Sequence, residues 1–381
     1  MDPRSLLAFC EAHRDWLLEN IEALARLESP STNKPAVDRC GDELARRLTA
    51  LGGRVDRVPQ EVRGHHVRAE FPGSDPQVLI LGHFDTVWEV GQLERMPLRH
   101  ENGRLYGPGV FDMKAGIGVA MLAMRALANG RADVPRVAML WTTDEEIGSG
   151  TSRALIEEEA RRSRAVLVLE PSLPGGAAKT SRKGCGEFEL IVRGVSAHAG
   201  LDPGKGASAI HELARQIVAI EALQDLPRGI SLNVGVIEGG TRTNVVAEEA
   251  RAQIDVRVMT MDDAARIEAA MRRLQPQNTR TRLEISGGVG RPPLERGPHV
   301  ARLYDEARTA AAELGRELGE GGAGGGSDGN FTAALGVPTL DGLGPAGDGA
   351  HALHEHVALD DLPWRAALVG TLIARLATVK W

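Results

Sequence analysis

Aromatic side chains are scarce, at 3% of 381 residues. So few rings exclude a stacking platform for single-stranded nucleic acid, and they leave the core to Leu, Val, Ile and Ala. A positive surplus is missing too: 45 Lys and Arg stand against 52 Asp and Glu, a net charge of -7 that repels phosphate backbones. The cysteines are three, Cys10, Cys40 and Cys185, odd in number and far apart. They exclude a disulfide framework, and without a C-x-x-C pair they exclude a cysteine-built metal site. No apolar run approaches the length that crosses a bilayer. The opening MDPRSLLAFCEAHRDWLLEN lacks the continuous apolar stretch and small-residue cleavage site of a signal peptide. The expectation is a soluble, cytoplasmic protein with neither nucleic acid nor membrane as partner.

What is present is an ordinary globular composition, 42% hydrophobic and 25% charged, on a chain long enough for two domains. Apolar steps of three and four predict one helix from Leu6 to Leu27 and another from Val37 to Leu51, the latter stopped by Gly52-Gly53. Strands are predicted at 67–71, 78–81, 137–141 and 165–169, with helices from Lys114 and over 152–162. This alternation predicts an α/β fold, a three-layer α/β/α domain around a mixed sheet. Near residue 183 the order becomes β-α-β-β-α-β, the ferredoxin-like plan of an α+β domain. The chain then returns to the first domain. The expected organisation is a discontinuous catalytic domain, 1–182 and 287–381, with an inserted domain at 183–286.

Five short strings carry potential chemistry. In LILGHFDTV a buried strand delivers His83 and Asp85 two positions apart, on the same side of an extended chain. Asp85 can then fix the His83 tautomer and leave its other nitrogen for a metal; a core histidine beside a turn aspartate fits the string equally well. In GPGVFDMKAG, Asp112 precedes a helix, where an aspartate is ordinarily a cap. In LWTTDEEIGSG an apolar strand runs into Asp144, Glu145 and Glu146, adjacent acids that demand either solvent or cations. On an extended segment Glu145 and Glu146 face different ways, so one can bind metal while the other handles protons. AVLVLEPS ends a strand in Glu170. GAHALHEHV packs His351, His354, Glu355 and His356 together, too many imidazoles for one site to use easily.

Position makes these pieces persuasive together. Each acid or histidine follows an apolar strand or begins a helix, and the carboxyl ends of strands are where α/β sheets bind ligands. Two histidines with several carboxylates suit a divalent cation such as zinc, in a catalytic rather than a structural site.

GHFDTV, GVFDMKAG, TTDEEIGS, LEPS and GAHALHEHV, in this order, resemble the M20 family of co-catalytic zinc metallopeptidases, most closely its glutamate carboxypeptidase branch. The likeness spans nearly the whole chain. It implies two Zn2+ ions, with Co2+ or Mn2+ as substitutes, held by His83, Asp112, Glu146, Glu170 and His351. Asp112 would bridge, with His83 and Glu170 on one ion and Glu146 and His351 on the other. It makes Glu145 the general base, Asp85 the support of His83, and the Asp112-Met113 peptide cis. His354 and His356 match no ligand position and are left as surface or helix-start residues. Lys114-Ala115-Gly116 departs from the usual D-M-K-G string by an added alanine that does not disturb Asp112.

In the inserted domain the resemblance assigns His198 of RGVSAHAG to the oxyanion of a partner subunit's site, implying a homodimer joined through a dimerisation, or lid, domain. Asn244 and Arg257 match substrate-gripping positions, and the planar fork of an arginine suits a terminal carboxylate. The alternative for Arg257, ranked just behind, is an outward salt bridge on a strand. Arg291 is a further carboxylate candidate, and the resemblance implies that the loop with Gly325 and Gly326 lines the cleft. The expected reaction is hydrolysis of the amide before a C-terminal amino acid, glutamate included, in a peptide or N-acyl amino acid. An aminoacylase or dipeptidase is the alternative, and a non-catalytic binding protein ranks last because every ligand and the base are present.

Overall fold

The run Val78-Leu79-Ile80-Leu81 is apolar at every position because both faces of its strand are covered. Val78 and Ile80 point into one core, Leu79 and Leu81 into another. The computed structural model describes residues 2–130 and 134–379. They fall into two units, one comprising Met1–Ser181, Arg296–Ala323 and Ser327–Trp381, the other Arg182–Glu295 and Gly324–Gly326.

In the first unit the strand Ser74–His83 lies between Pro135–Thr142 and Ser163–Val168, parallel to both. Antiparallel strands His66–Phe71 and Arg54–Val58 extend one side, and the short parallel Thr339–Leu340 extends the other, giving a mixed six-stranded sheet. On one face the helix Ala115–Asn129, buried almost all round, packs against Leu362–Leu376. On the other face Arg153–Arg161 packs with Gly329–Ala334. This is the expected three-layer arrangement. Each leucine or isoleucine of the central strand contributes roughly 1.5–3 kcal/mol by leaving water.

Local chemistry explains the element ends. The helix Lys34–Ala50 starts where Asn33 accepts a hydrogen bond from the Ala36 N–H, with Pro35 in its first turn, and it stops before Gly52 at φ +94°. The single helix expected over residues 6–27 is instead two, Pro3–Ala12 and Arg14–Ala25. The break is at His13, whose ring stacks on Phe9 and whose Nδ1 lies 2.8 Å from the Phe9 carbonyl oxygen. His356 also departs from expectation: it is buried on the strand His356–Ala358, its ring 5.0 Å from that of Tyr106.

The second unit orders its strands as Ser231–Gly239, Glu249–Val258, Gly184–Arg193 and Arg282–Arg291, all antiparallel. Helices Ala209–Glu221 and Met261–Arg272 share one core with alternate strand residues, Phe188, Leu190 and Val192 among them. This is the ferredoxin-like topology. The unit reaches Glu295 rather than ending at 286, because the strand expected to close at Ile285 continues through a bulge to Arg291. Gly324–Gly326 also clusters here, its Gly325 and Gly326 carbonyls accepting hydrogen bonds from Arg182 Nη1 at 3.2 and 2.9 Å.

Candidate metal centre

Three parallel strands of the first unit end side by side, and each hands the chain to a polar residue. His83 closes one strand, Glu170 follows another after a single leucine, and the third runs through Thr142 into Asp144-Glu145-Glu146. Glu145 and Glu146 lie in a tight helical turn, Glu145–Ile147, not on the extended segment expected. Asp112 is not a helix cap either. It stands inside a distorted turn with φ -114° and ψ 93°, and its peptide to Met113 is cis, as expected.

These side chains converge on two adjacent groups. His83 Nε2 lies 3.3 Å from Asp112 Oδ1 and 3.4 Å from Glu170 Oε1. His351 Nε2 lies 3.4 Å from Asp112 Oδ2 and 3.1 Å from Glu146 Oε2. In each group one donor atom per residue falls within 4.8 Å of the others. Asp112 thus presents one oxygen to each group.

Behind the first group, His83 Nδ1 is 3.0 Å from the Asp85 carbonyl and 3.4 Å from its Oδ1, so the backbone makes the closer contact. The Asp85 carboxylate instead ties elements together. It accepts from Ser31 Oγ at 2.7 Å and from the Glu145 and Glu146 N–H groups at 3.4 and 3.3 Å. His83 is thereby fixed with Nε2 toward the carboxylates.

The electrostatics call for cations. Burial disfavours a charged His83, but Asp112, Asp85 and Glu170 outweigh it and push its pKa well above the usual imidazole value. Asp112 and Glu146 raise His351 to about 10. Asp112 is itself driven far down, since the two histidines overcome the cost of burial. Glu146 is raised by burial and by the nearby Asp112 charge. His83 Nε2 and Glu146 Oε1 are buried and make no hydrogen bond. Two such polar atoms, each aimed into a nitrogen-and-carboxylate set, fit a pair of borderline-hard divalent ions.

The remaining candidates lie in the second unit. His198 is exposed, and its Nδ1 accepts from the Gly200 and Leu201 N–H groups, both at 3.1 Å. That assigns the proton to Nε2. Asn244 is beside it, its carbonyl accepting from the Ala199 N–H while His198 bridges to Val245. Cys185 sits in register with both Arg257 and Arg291, so the three stand abreast on one sheet face. Arg257 makes two bonds to Asp255, at 2.8 and 2.9 Å. Gly326 packs so closely on Arg291 that a Cβ there would come within 2.6 Å of its Cδ.

Sequence reasoning gave no role to Glu355, which is fully buried against the backbone of Asp112. Its place four residues after His351 is the one signal, and it does not reveal which groups it holds. Lys114 was likewise passed over; it is buried and donates to the Leu27 carbonyl at 2.8 Å.

A profile of peptidase family M20/M25/M40 matches residues 79–375. The chain is 29% identical over 376 residues to carboxypeptidase G2 of Pseudomonas sp. (strain RS-16), spanning 96% of this chain and 90% of that protein. It is 31% identical over 360 residues to a succinyl-diaminopimelate desuccinylase of Xanthomonas oryzae pv. oryzae (strain MAFF 311018), spanning 88% and 93%. Among solved structures, aminopeptidase PepT of Bacillus cereus superposes with a TM-score of 0.80 at 22% identity, over 96% of this chain and 99% of that one. In sequence and fold alike, the chain belongs to peptidase family M20/M25/M40 and is a hydrolase of that family.

Proposed function

We propose that this chain hydrolyses the amide preceding a C-terminal amino acid, glutamate among those accepted, in peptides or N-acyl amino acids. The observation that carries the reading is Asp112, one carboxylate turned toward two histidine–carboxylate pairs. His83 and Glu170 would hold one cation and Glu146 and His351 the other, with Asp112 serving both. Two Zn2+ ions held there, or Co2+ or Mn2+ in their place, would supply a lowered water pKa and polarisation of the scissile carbonyl.

The protein's own groups do the rest. Glu145, adjacent in the chain to a ligand, takes the proton of the attacking water and passes it to the leaving amine. His198, with its proton on Nε2, donates to the developing oxyanion. It does so from a second copy of the chain, with the second unit acting as lid and dimerisation module. Asn244, Arg257 and Arg291 receive the substrate carboxylate beside the Gly325-Gly326 backbone. Arg257 takes part by exchanging the Asp255 carboxylate for that of the substrate.

A second reading has support in the 31% identity to a desuccinylase: an N-succinyl or other N-acyl amide is cleaved with selectivity for the acyl half. Metal-reconstituted protein should be assayed on N-acyl-glutamate, N-acyl-leucine, a free dipeptide and N-succinyl-diaminopimelate. The fastest turnover is expected with N-acyl-glutamate. Preference for the succinyl substrate decides for the second reading, and preference for N-acyl-leucine or the dipeptide makes the chain an aminoacylase or dipeptidase. No hydrolysis of any of the four with two cations bound overturns the proposal.

A further inference from the structure

Glu355 is fully buried, yet none of the four hydrogen bonds that hold it comes from a cationic side chain. Four N–H groups converge on it instead. Oε2 accepts from Trp88 Nε1 at 2.8 Å and from the Gly109 N–H at 2.9 Å. Oε1 accepts from the Phe111 N–H at 2.9 Å and from the Asp112 N–H at 3.0 Å. A carboxylate has about four acceptor sites, and here all are used.

The donors come from different parts of the first unit. Trp88 follows the His83–Asp85 segment, Gly109 to Asp112 form the turn that presents the shared carboxylate, and Glu355 itself ends the turn that carries His351. One side chain therefore cross-links the segment after His83, the Asp112 turn and the His351 turn. The geometry admits no near substitute. Glutamine would turn an NH2 toward two N–H donors, and aspartate is a carbon too short to reach both loops. Left without an acceptor, buried backbone N–H groups cost about 1–3 kcal/mol each.

The two halves of the centre depend on this brace unequally. His83 and Glu170 are fixed by strands paired along their length. His351 lies in a turn, with φ +60° and a side chain 53% exposed. Within the two-cation reading above, we propose that Glu355 is a positioning residue that orients Asp112 and the His351 turn, and so sets the affinity of the His351–Glu146 cation site.

The test uses stripped full-length protein titrated with Zn2+ against a chromophoric chelator, with thermal unfolding recorded alongside. In Glu355→Gln the weaker binding step should loosen by about 10–100-fold, the usual effect of losing a group that orients a ligand. The tighter step should stay within about threefold of the parent protein. Trp88→Phe removes one of the four bonds and should move the same step in the same direction by less. Equal loosening of both steps, or unchanged affinities with only a lower melting temperature, overturns the inference. Should Glu355→Gln fail to fold, an unshifted weaker step in Trp88→Phe overturns it as well. Uptake of fewer than two ions by the parent protein would instead sink the two-cation reading, which separates the two failures.

Discussion

In the six-stranded sheet the central strands are hidden on both faces, whereas the four-stranded sheet covers one face and leaves charged residues on the other. Along Glu249–Val258 every second residue is buried, and Arg251, Gln253, Asp255 and Arg257 alternate with them. The difference shows where each unit can keep a reactive group. Strands buried on both sides end rigidly, so His83 and Glu170 arrive in place with the backbone. In the second unit the candidates are in loops, His198 and Asn244, or in a polar row, Arg257 and Arg291. There, position depends on a few hydrogen bonds.

The sharpest break in that comparison is at the proposed base. Glu145→Gln should lower kcat by about 10²–10⁴-fold with metal content unchanged by elemental analysis; near-normal turnover would remove Glu145 from the mechanism. In the second unit, His198→Ala should cost about 10²–10³-fold in kcat, the range for one oxyanion donor. If the proposed dimer shares His198 between subunits, mixing the His198→Ala and Glu145→Gln proteins should restore turnover that neither has alone, because one site in each mixed dimer would then be complete. No recovery on mixing would place His198 outside a shared site.

Smaller effects sharpen the contrast between the sheets. Leu79→Ala should destabilise by about 2–5 kcal/mol in chemical denaturation, while Gln253→Ala on the open face of the second sheet should stay within about 0.5 kcal/mol. Equal losses would mean that the second face is covered after all. The smallest signal is protonic. His83 is pushed above the usual imidazole value by its carboxylate neighbours, and His351 is raised to about 10, so His351 carries a proton at pH 7 in stripped protein. Metal ions bind the unprotonated ring, so zinc uptake in weak buffer at pH 7 should release protons, and the release should fade as the pH approaches 10. Uptake without proton release would show that His351 is not a ligand.

The legible part of this molecule was its strand ends. A run such as Val78–Leu81 followed by His83, or Ala165–Leu169 followed by Glu170, joins burial and chemistry in a few letters. Elements with weak patterns were harder. Arg54–Val58 reads RVDRV and is largely exposed, so no core signal marks it as an edge strand. The extension of the last strand of the second unit runs through Gly287, Gly288 and Gly290, which offer no alternation to read. Glu355 was opaque for another reason: its partners are mostly backbone N–H groups, which every residue but proline carries and no sequence displays.

The inserted unit also ends where it begins. Arg182 and Leu294 exchange both backbone hydrogen bonds, at 2.9 and 3.0 Å, so its entry and exit are clasped together. For the folding of the first unit this clasp shortens the problem. Once the insert has formed, Ser181 and Arg296 are already neighbours of a closed pair, and the intervening chain acts as a short loop. The entropy of closing a long loop grows slowly with its length, and here it is met inside the insert.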